Sequence, residues 1–404
     1  MNVLLIGSSF SALPMLFDLQ KRGAHVTVVG KYKDDPCHAY ADVSVHIDYS
    51  DPNELLKVCR ANSFDGIVPS CNDYAYVAAA KVAAQLNYPG FDSLDTTAVL
   101  HEKDRFRHFC ATIDVPAPRL YGEISGAERR PHTQHIDSAV LVKPVDSFSG
   151  RGVQRVSRPE GLPEAIDLAL AQSRSKRAVV EELVEGSLHS HTAFVSGGQI
   201  VWYEIVDEFC EVYAYQVDRS GYPSCLPDAL RTAVHNSLSS LVGAMGMADG
   251  LLHTQFIASE ERFWIIECMR RCPGDLYGHH FYFAEGRDYT HEYVSPFLGI
   301  APKFPAATKP LRRVERRIIS VQEAQPLFGV ALQTDGRRAT FIPLKESGQM
   351  LNEAPFDKAG IIFVEGSEDE DTQNPFSGLT SEIATIYAET SGRATRSHQL
   401  AHPV

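Results

Sequence analysis

The chain has 404 residues, 44% of them hydrophobic and 22% charged, with a formal net charge of −13. That length calls for two or three domains, and that composition for a soluble globular protein. The acidic excess argues against general binding to nucleic acid or to an anionic membrane, while leaving room for a local basic pocket.

Residues 1–95 alternate strands and helices. Val3–Ile6 reads as a strand, Gly7-Ser8-Ser9 as a turn, Ala12–Arg22 as an amphipathic helix ended by Gly23, and Val26–Val29 as a second strand. Asp51–Ala61 predicts a helix opened by Asp51 with Pro52 in its first turn; Gly66–Pro69 predicts a strand and Asp73–Leu86 a helix. This βαβ order implies an α/β fold with a parallel sheet covered on both faces.

A helix at Lys103–Ile113 runs into Val115-Pro116-Ala117-Pro118, which reads as a linker. Ala139–Lys143 and Val153–Val156 predict a hairpin tipped by Asp146-Ser147-Phe148-Ser149-Gly150-Arg151-Gly152. Leu162–Gln172 is helical and Ala178–Val184 is a strand. Thr192–Val195 and Gln199–Ile205 pair around Ser196-Gly197-Gly198. Pro227–Met245 is a long helix, and Leu251–Ala258 with Arg262–Cys268 forms another hairpin. Pro302, Pro305 and Pro310 mark a second linker. Short strands at Arg316–Val321, Gly329–Gln333 and Ala339–Pro343 then suggest a small β-rich unit; Gly366–Asn374 reads as an acidic loop and the last ten residues as a frayed end. No run approaches a membrane span, and no basic stretch precedes the first apolar run, so neither a signal segment nor a membrane anchor is expected. The eight cysteines form no Cys-x-x-Cys pair and no zinc spacing, as expected of reduced thiols in a cytoplasmic protein.

The chemistry concentrates late in the last long hairpin. Phe263-Trp264-Ile265-Ile266-Glu267 brings a carboxylate to the end of an apolar strand, and Arg270-Arg271 and Pro273-Gly274-Asp275 follow. A carboxylate in such a setting needs a metal or a cation. Glu267 suits Mg²⁺, and Arg271 suits a carboxylate or an acyl phosphate in a two-pronged grip; a plain Glu267–Arg271 salt bridge is the alternative. Lys143, at the end of Val140-Leu141-Val142, points an ammonium toward the Gly-rich tip, either as a phosphate ligand or as an exposed lysine on an ordinary hairpin. Glu181 and Glu182 end a strand, either solvated or as a hinge for an adenine edge. Gly7-Ser8-Ser9 lacks the Gly-x-Gly-x-x-Gly pattern, which disfavours a nicotinamide dehydrogenase. His189, His191, His253, His279 and His280 cluster without helical zinc spacing. The loop Asp207–Ser224 carries Tyr213, Tyr215 and Tyr222, which either line a pocket or pack a hairpin.

In this order and spacing the motifs resemble the ATP-grasp superfamily, in particular its carboxylate–amine ligases. The resemblance covers roughly residues 1–300 and implies three units: a pre-ATP-grasp parallel sheet at 1–95, a linker helix with a two-lobed α+β ATP-grasp domain at 96–305, and a small β-rich C-terminal domain at 306–404. It implies that Lys103 and Lys143 meet phosphates and that Ser149, Gly150 and Gly152 belong to a closing flap. Glu181, Glu182 and Val184 would hold the adenine. Glu267 would bind metal, with Gln255 and Asp275 as further oxygens, and Arg271 would lie on the substrate side. Catalysis would rest on Arg271, Lys143 and Glu267. The chain departs from the family at Gly186-Ser187-Leu188, where a ribose-binding carboxylate is expected and His189 or Ser190 is the available substitute. It departs again at Gln255 and Met269, which replace metal-binding side chains. The implied cofactors are ATP and Mg²⁺, with Mn²⁺ as an acceptable replacement. The implied partners are a small-molecule carboxylate and a small-molecule amine, joined through an acyl phosphate with release of ADP and phosphate; His280 or Asp275 would serve as base, and a homodimer is allowed. Two other readings stay open: a nucleotide-binding regulatory protein on a degenerate ATP-grasp fold, and a carboxylating enzyme using bicarbonate.

Overall fold

The computed structural model describes residues 1–126, 138–148, 150–303, 307–332, 334 and 336–366. Ser149, Pro305, Gln333, the acidic stretch after Gly366 and the C-terminal end therefore lie outside the described residues.

The first sheet is parallel and four-stranded, in the order Val43–His46, His25–Gly30, Asn2–Ile6, Gly66–Pro69. Its inner strand Asn2–Ile6 is apolar and buried from Val3 to Ile6 because both faces are covered there. Val3 and Leu5 join a core with Met15, Leu16 and Leu19, whereas Leu4 and Ile6 join another with Leu55, Ala79 and Val82. This two-residue alternation of a strand sends successive side chains into different layers.

A second sheet is antiparallel, in the order Leu120–Ser125, Arg177–Glu182, Val140–Pro144, Gln154–Val156, and helix Leu162–Gln172 backs it. The third has eight strands, in the order Phe263–Met269, Gly250–Ala258, Ser187–Ser196, Gln199–Phe209, Arg219–Tyr222, Val314–Ile319, Gly360–Glu365, Ala339–Pro343. Helix Asp228–Met245 covers one face of this sheet through Val234, Leu238, Leu241 and Val242. The other face packs Phe194, Tyr277, Phe281 and Tyr289 into the core that also contains Val3 and Leu5.

Three sequence expectations change. Strands Val314–Ile319, Ala339–Pro343 and Gly360–Glu365 hydrogen-bond into the central sheet, with Tyr222 opposite Val314 and Val314 opposite Glu365, and only the short pair Gln325–Pro326 and Met350–Leu351 forms a sheet of its own among the described residues. No strand runs over 329–332. A helix at Leu94–His101, not foreseen, connects the parallel sheet to the linker helix Lys103–Thr112.

One buried ion pair fastens these parts together. Arg270 is almost wholly buried; its Nε donates to Asp92 Oδ2 at 2.7 Å, and its two terminal nitrogens donate to the carbonyls of Leu251 and Ala248, each at 2.6 Å. Tyr76 and the Ala248 amide donate to the same carboxylate. Removing one member strands the other without water, so Asp92→Ala is expected to cost about 3–5 kcal/mol of unfolding free energy in urea titrations.

His191 makes a second stability prediction. Its ring is fully buried, lies 4.9 Å from the Tyr203 ring at a 10° interplanar angle, and has no hydrogen-bond partner for either nitrogen among the described residues. Burial, and then the neighbouring His235, push its protonation down to about 3 from the ordinary value near 6.5. The unfolded chain therefore takes up a proton before the native one does. Stability from this residue is full above the ordinary value and is lost as the pH falls toward the depressed one. His191→Phe keeps a ring in the stack without the titrating nitrogens. It is expected to flatten the acid side of the stability profile, measured by urea unfolding at neutral and mildly acidic pH.

Candidate functional site

Strand Arg177–Glu182 is apolar at Ala178-Val179-Val180 and carries Glu181 into complete burial. A lone carboxylate there would be costly. Lys143, on the adjacent strand, ion-pairs with Glu181 Oε1. Arg107, one helical turn after Lys103, places its Nε 3.1 Å from Glu181 Oε2 and donates from Nη2 to the Ile266 carbonyl at 2.7 Å. Burial by itself would raise the Glu181 carboxyl; Arg107 and Lys143 outweigh it and hold the group below the ordinary glutamate value. Arg107 was not foreseen, although its four-residue spacing from Lys103 on one helix face was the available signal.

Lys103 donates to the Ser147 carbonyl at 2.8 Å, with the Phe148 ring centroid 5.6 Å away. Burial pulls its pKa down, the charge of Glu267 opposes that, and Lys143 adds to the lowering. Glu267 is half-buried, and no described residue hydrogen-bonds or ion-pairs with its carboxylate. Lys103 and Glu267 share one narrow cavity with Asp73, His101, Phe106, Phe148, Ile266, Cys268 and Met269. Gln255 stands directly across from Glu267 on the neighbouring strand and donates from Nε2 to Glu208 Oε2 at 2.7 Å, leaving its carbonyl oxygen as the available ligand atom. Four cations (Lys103, Lys143, Arg107 and Arg271) thus meet three carboxylates (Glu181, Glu267 and Asp73) in and around the cavity. This is a local positive site in a chain of net charge −13.

The Gly-rich tip is built by conformation. Gly150 has φ +70°, and a Cβ there would stand 2.6 Å from the Tyr215 carbonyl oxygen. Gly152 has φ +75° and would meet Gln172 and Pro144 at 2.9 Å. Asp146 anchors the start of the loop by accepting from Ser173 Oγ at 2.7 Å and from the Ser175 amide at 2.8 Å. At the other strand end, Glu182 exchanges hydrogen bonds with the backbone of Arg119, and Val184 is buried. Glu181, expected beside an adenine edge, has both oxygens committed to cations instead.

Arg271 does not pair with Glu267. Its Nη2 and Nε donate to Asp73 Oδ2 at 2.6 and 3.0 Å, a contact with the first residue of helix Asp73–Leu86. Burial would raise the Asp73 carboxyl; Arg271 and His101 overcome it and hold the group well below the ordinary range. Asp275, expected as a metal oxygen, has φ +55° and is ion-paired with Lys358, while its amide reaches Ser11 Oγ at 3.2 Å. His280, expected as a base, has both ring nitrogens engaged, by the Tyr277 carbonyl and Ser220 Oγ, and burial pushes its protonation down to about 3. His189 is held between Asp207 and Ser187. Tyr222 packs in the core and donates to Glu285 at 2.9 Å, whereas Tyr215 is exposed and backs Gly150.

No family model matches the chain. It is 31% identical over 193 residues to the formate-dependent phosphoribosylglycinamide formyltransferase of Parasynechococcus marenigrum (strain WH8102), across 46% of this chain and 49% of that protein. The chain spans about half the length of the first curated relatives it matches. The L-amino acid ligase of Bacillus licheniformis superposes with a TM-score of 0.71 at 17% identity, over 90% of this chain and 93% of its own. The biotin carboxylase domain of Hydrogenobacter thermophilus 2-oxoglutarate carboxylase, solved as a dimer with MgADP and bicarbonate, superposes with a TM-score of 0.72 at 14% identity, over 90% and 86%.

The chain has the ATP-grasp fold. Phe148, two residues before Gly150, lines the cavity of Lys103 and Glu267, and the order of this loop is testable without any substrate. Gly150→Ala adds a left-handed strain of about 1–2 kcal/mol to the clash with Tyr215. Faster hydrogen exchange over 146–152 is expected in this variant, with exchange in strand Arg177–Glu182 unchanged.

Proposed function

We propose that the chain is an ATP-dependent carboxylate–amine ligase that forms an amide bond between small molecules through an acyl phosphate. The observation that carries this reading is Glu267, a half-buried carboxylate without a partner among the described residues, in the same cavity as Lys103. An oxygen ligand of this kind suits Mg²⁺, and Gln255 across the ladder offers a second oxygen. The metal, when bound, spreads the charge of the phosphate oxygens. The relatives support the substrate class, since one is named as formate-dependent and another as an L-amino acid ligase.

The residues divide the work by charge. Lys103 and Lys143 neutralise phosphate oxygens, and Arg107 keeps Glu181 from drawing Lys143 away entirely. The loop at Gly150 and Gly152 brings backbone N–H groups over the phosphates and excludes water. Glu182 and Val184 border the adenine. The substrate carboxylate attacks the terminal phosphorus as the bond to ADP breaks; the amine nitrogen then attacks the acyl carbon, and phosphate leaves. Positioning and cations supply most of what such a transfer needs. Arg271 sits on the substrate side, where an incoming carboxylate competes with Asp73 for its fork.

A second reading, a nucleotide-binding regulatory protein, draws support from Gln255 and Arg271, whose donors are already engaged by Glu208 and Asp73. The two readings part on turnover. Coupled assays with ATP, Mg²⁺, a panel of small carboxylates including formate, and a panel of amines are expected to show amine-stimulated release of ADP and phosphate. Glu267→Ala is expected to lower it at least about a hundredfold. Binding of ATP without turnover on any pair supports the regulatory reading instead.

A further inference from the structure

A second cavity, of about 290 Å³, adjoins the first, and Phe148 and His101 line both. Its size is at the small end of ligand pockets. Two helices supply much of its apolar wall, among it Val77 and Ala78 of Asp73–Leu86 and Leu94 and Ala98 of Leu94–His101. Thr97 lines it too, 3% exposed, and its hydroxyl has no hydrogen-bond partner among the described residues; neither does Nε2 of the buried His101. Buried polar atoms are normally satisfied, and those that are not mark a place where a partner is missing.

The charges around the cavity sort into engaged and available. Glu102 is ion-paired with Arg177 and Arg105, and Asp146 is held by Ser173 and Ser175. Lys81 is exposed at the rim with no ion pair among the described residues. The Arg174 guanidinium lies 3.6 Å over the Tyr74 ring, which leaves its edge open to an acceptor. The available polarity is therefore two cations, a buried hydroxyl and a buried ring nitrogen above an apolar floor.

We propose that this cavity binds a small amphipathic monocarboxylate, apolar tail against Val77, Ala98 and Phe148 and carboxylate toward Lys81 and Arg174, and that its occupancy steadies the loop over the neighbouring site. Asp146 and Phe148 supply the link, because both line the cavity and both belong to the segment whose Ser147 carbonyl receives Lys103. The site does not depend on the ligase reading, and neither do its readouts.

Phenylacetate and 3-methylbutanoate are titrated into the full chain by ligand-observed NMR, with phenylacetamide as the uncharged control. Hydrogen exchange is followed with and without the acids. Saturable binding of the acids, absence of binding by the amide, and slower exchange over 146–152 are expected. Ala98→Phe, which fills the cavity, is expected to abolish binding. Lys81→Gln, an exposed change that spares the fold, is expected to weaken it roughly tenfold. The assignment is overturned if neither acid binds, if the amide binds as well as the acids, if binding survives in folded Ala98→Phe, or if Lys81→Gln leaves affinity unchanged. Unaltered loop exchange at saturation overturns the coupling.

Discussion

Glu181 has no contact with solvent, and the arrangement around it follows from that constraint. An isolated buried carboxylate is too costly to keep ionised, so it recruits Lys143 from the next strand and Arg107 from the linker helix. Arg107 then spends its remaining reach on the carbonyl of Ile266, the residue before Glu267. One anion thereby draws together the linker helix, the antiparallel sheet of strands Arg177–Glu182 and Val140–Pro144, and strand Phe263–Met269 of the eight-stranded sheet. With Lys103 and Arg271 beside Lys143 and Arg107, the local cations exceed the carboxylates Glu181, Glu267 and Asp73 by one, and that surplus supports reading the cavity as an anion site.

A second set of ionic contacts joins the parallel sheet to the same place. Asp73 opens the helix after strand Gly66–Pro69 and holds Arg271, while Asp92 holds the adjacent Arg270. Consecutive arginines after the Glu267 strand thus take different roles. Arg270 is a fully enclosed fastening, and Arg271 is held by Asp73, which lines the cavity, so that the proposed substrate carboxylate would compete with it there. In the ligase reading, that competition makes the geometry of Asp73 part of substrate selection.

Local periodicity made much of the fold legible. Helices Asp73–Leu86 and Leu162–Gln172 fall on the residues expected, and the turn at Ser196-Gly197-Gly198 joins the pair of long strands anticipated around it. Lys103 and Glu267, expected to serve one site, do line one cavity. What the chain's local pattern hid was partnership across distance. Arg271 and Asp73 are 198 positions apart, and nothing near either residue names the other. Strand Val314–Ile319 looked like the start of a separate unit because its sheet neighbours, Arg219–Tyr222 and Gly360–Glu365, are remote in sequence. Helix Leu94–His101 escaped notice because its apolar residues do not gather on one face: Leu94 is exposed while Thr97 and His101 are buried. Asp275 and His280 drew attention as reactive residue types, yet their polar atoms are taken up by Lys358, Tyr277 and Ser220.

In the proposed reading the Glu267 carboxylate, unpartnered among the described residues, is kept for a metal ion beside a nucleotide held by Lys103 and Lys143. Anomalous diffraction from crystals soaked with manganese and a non-hydrolysable ATP analogue tests it most directly. The account predicts a manganese peak about 2.1–2.2 Å from a Glu267 oxygen, with phosphate density against both lysines. A peak elsewhere, or a nucleotide bound away from this cavity, would contradict it.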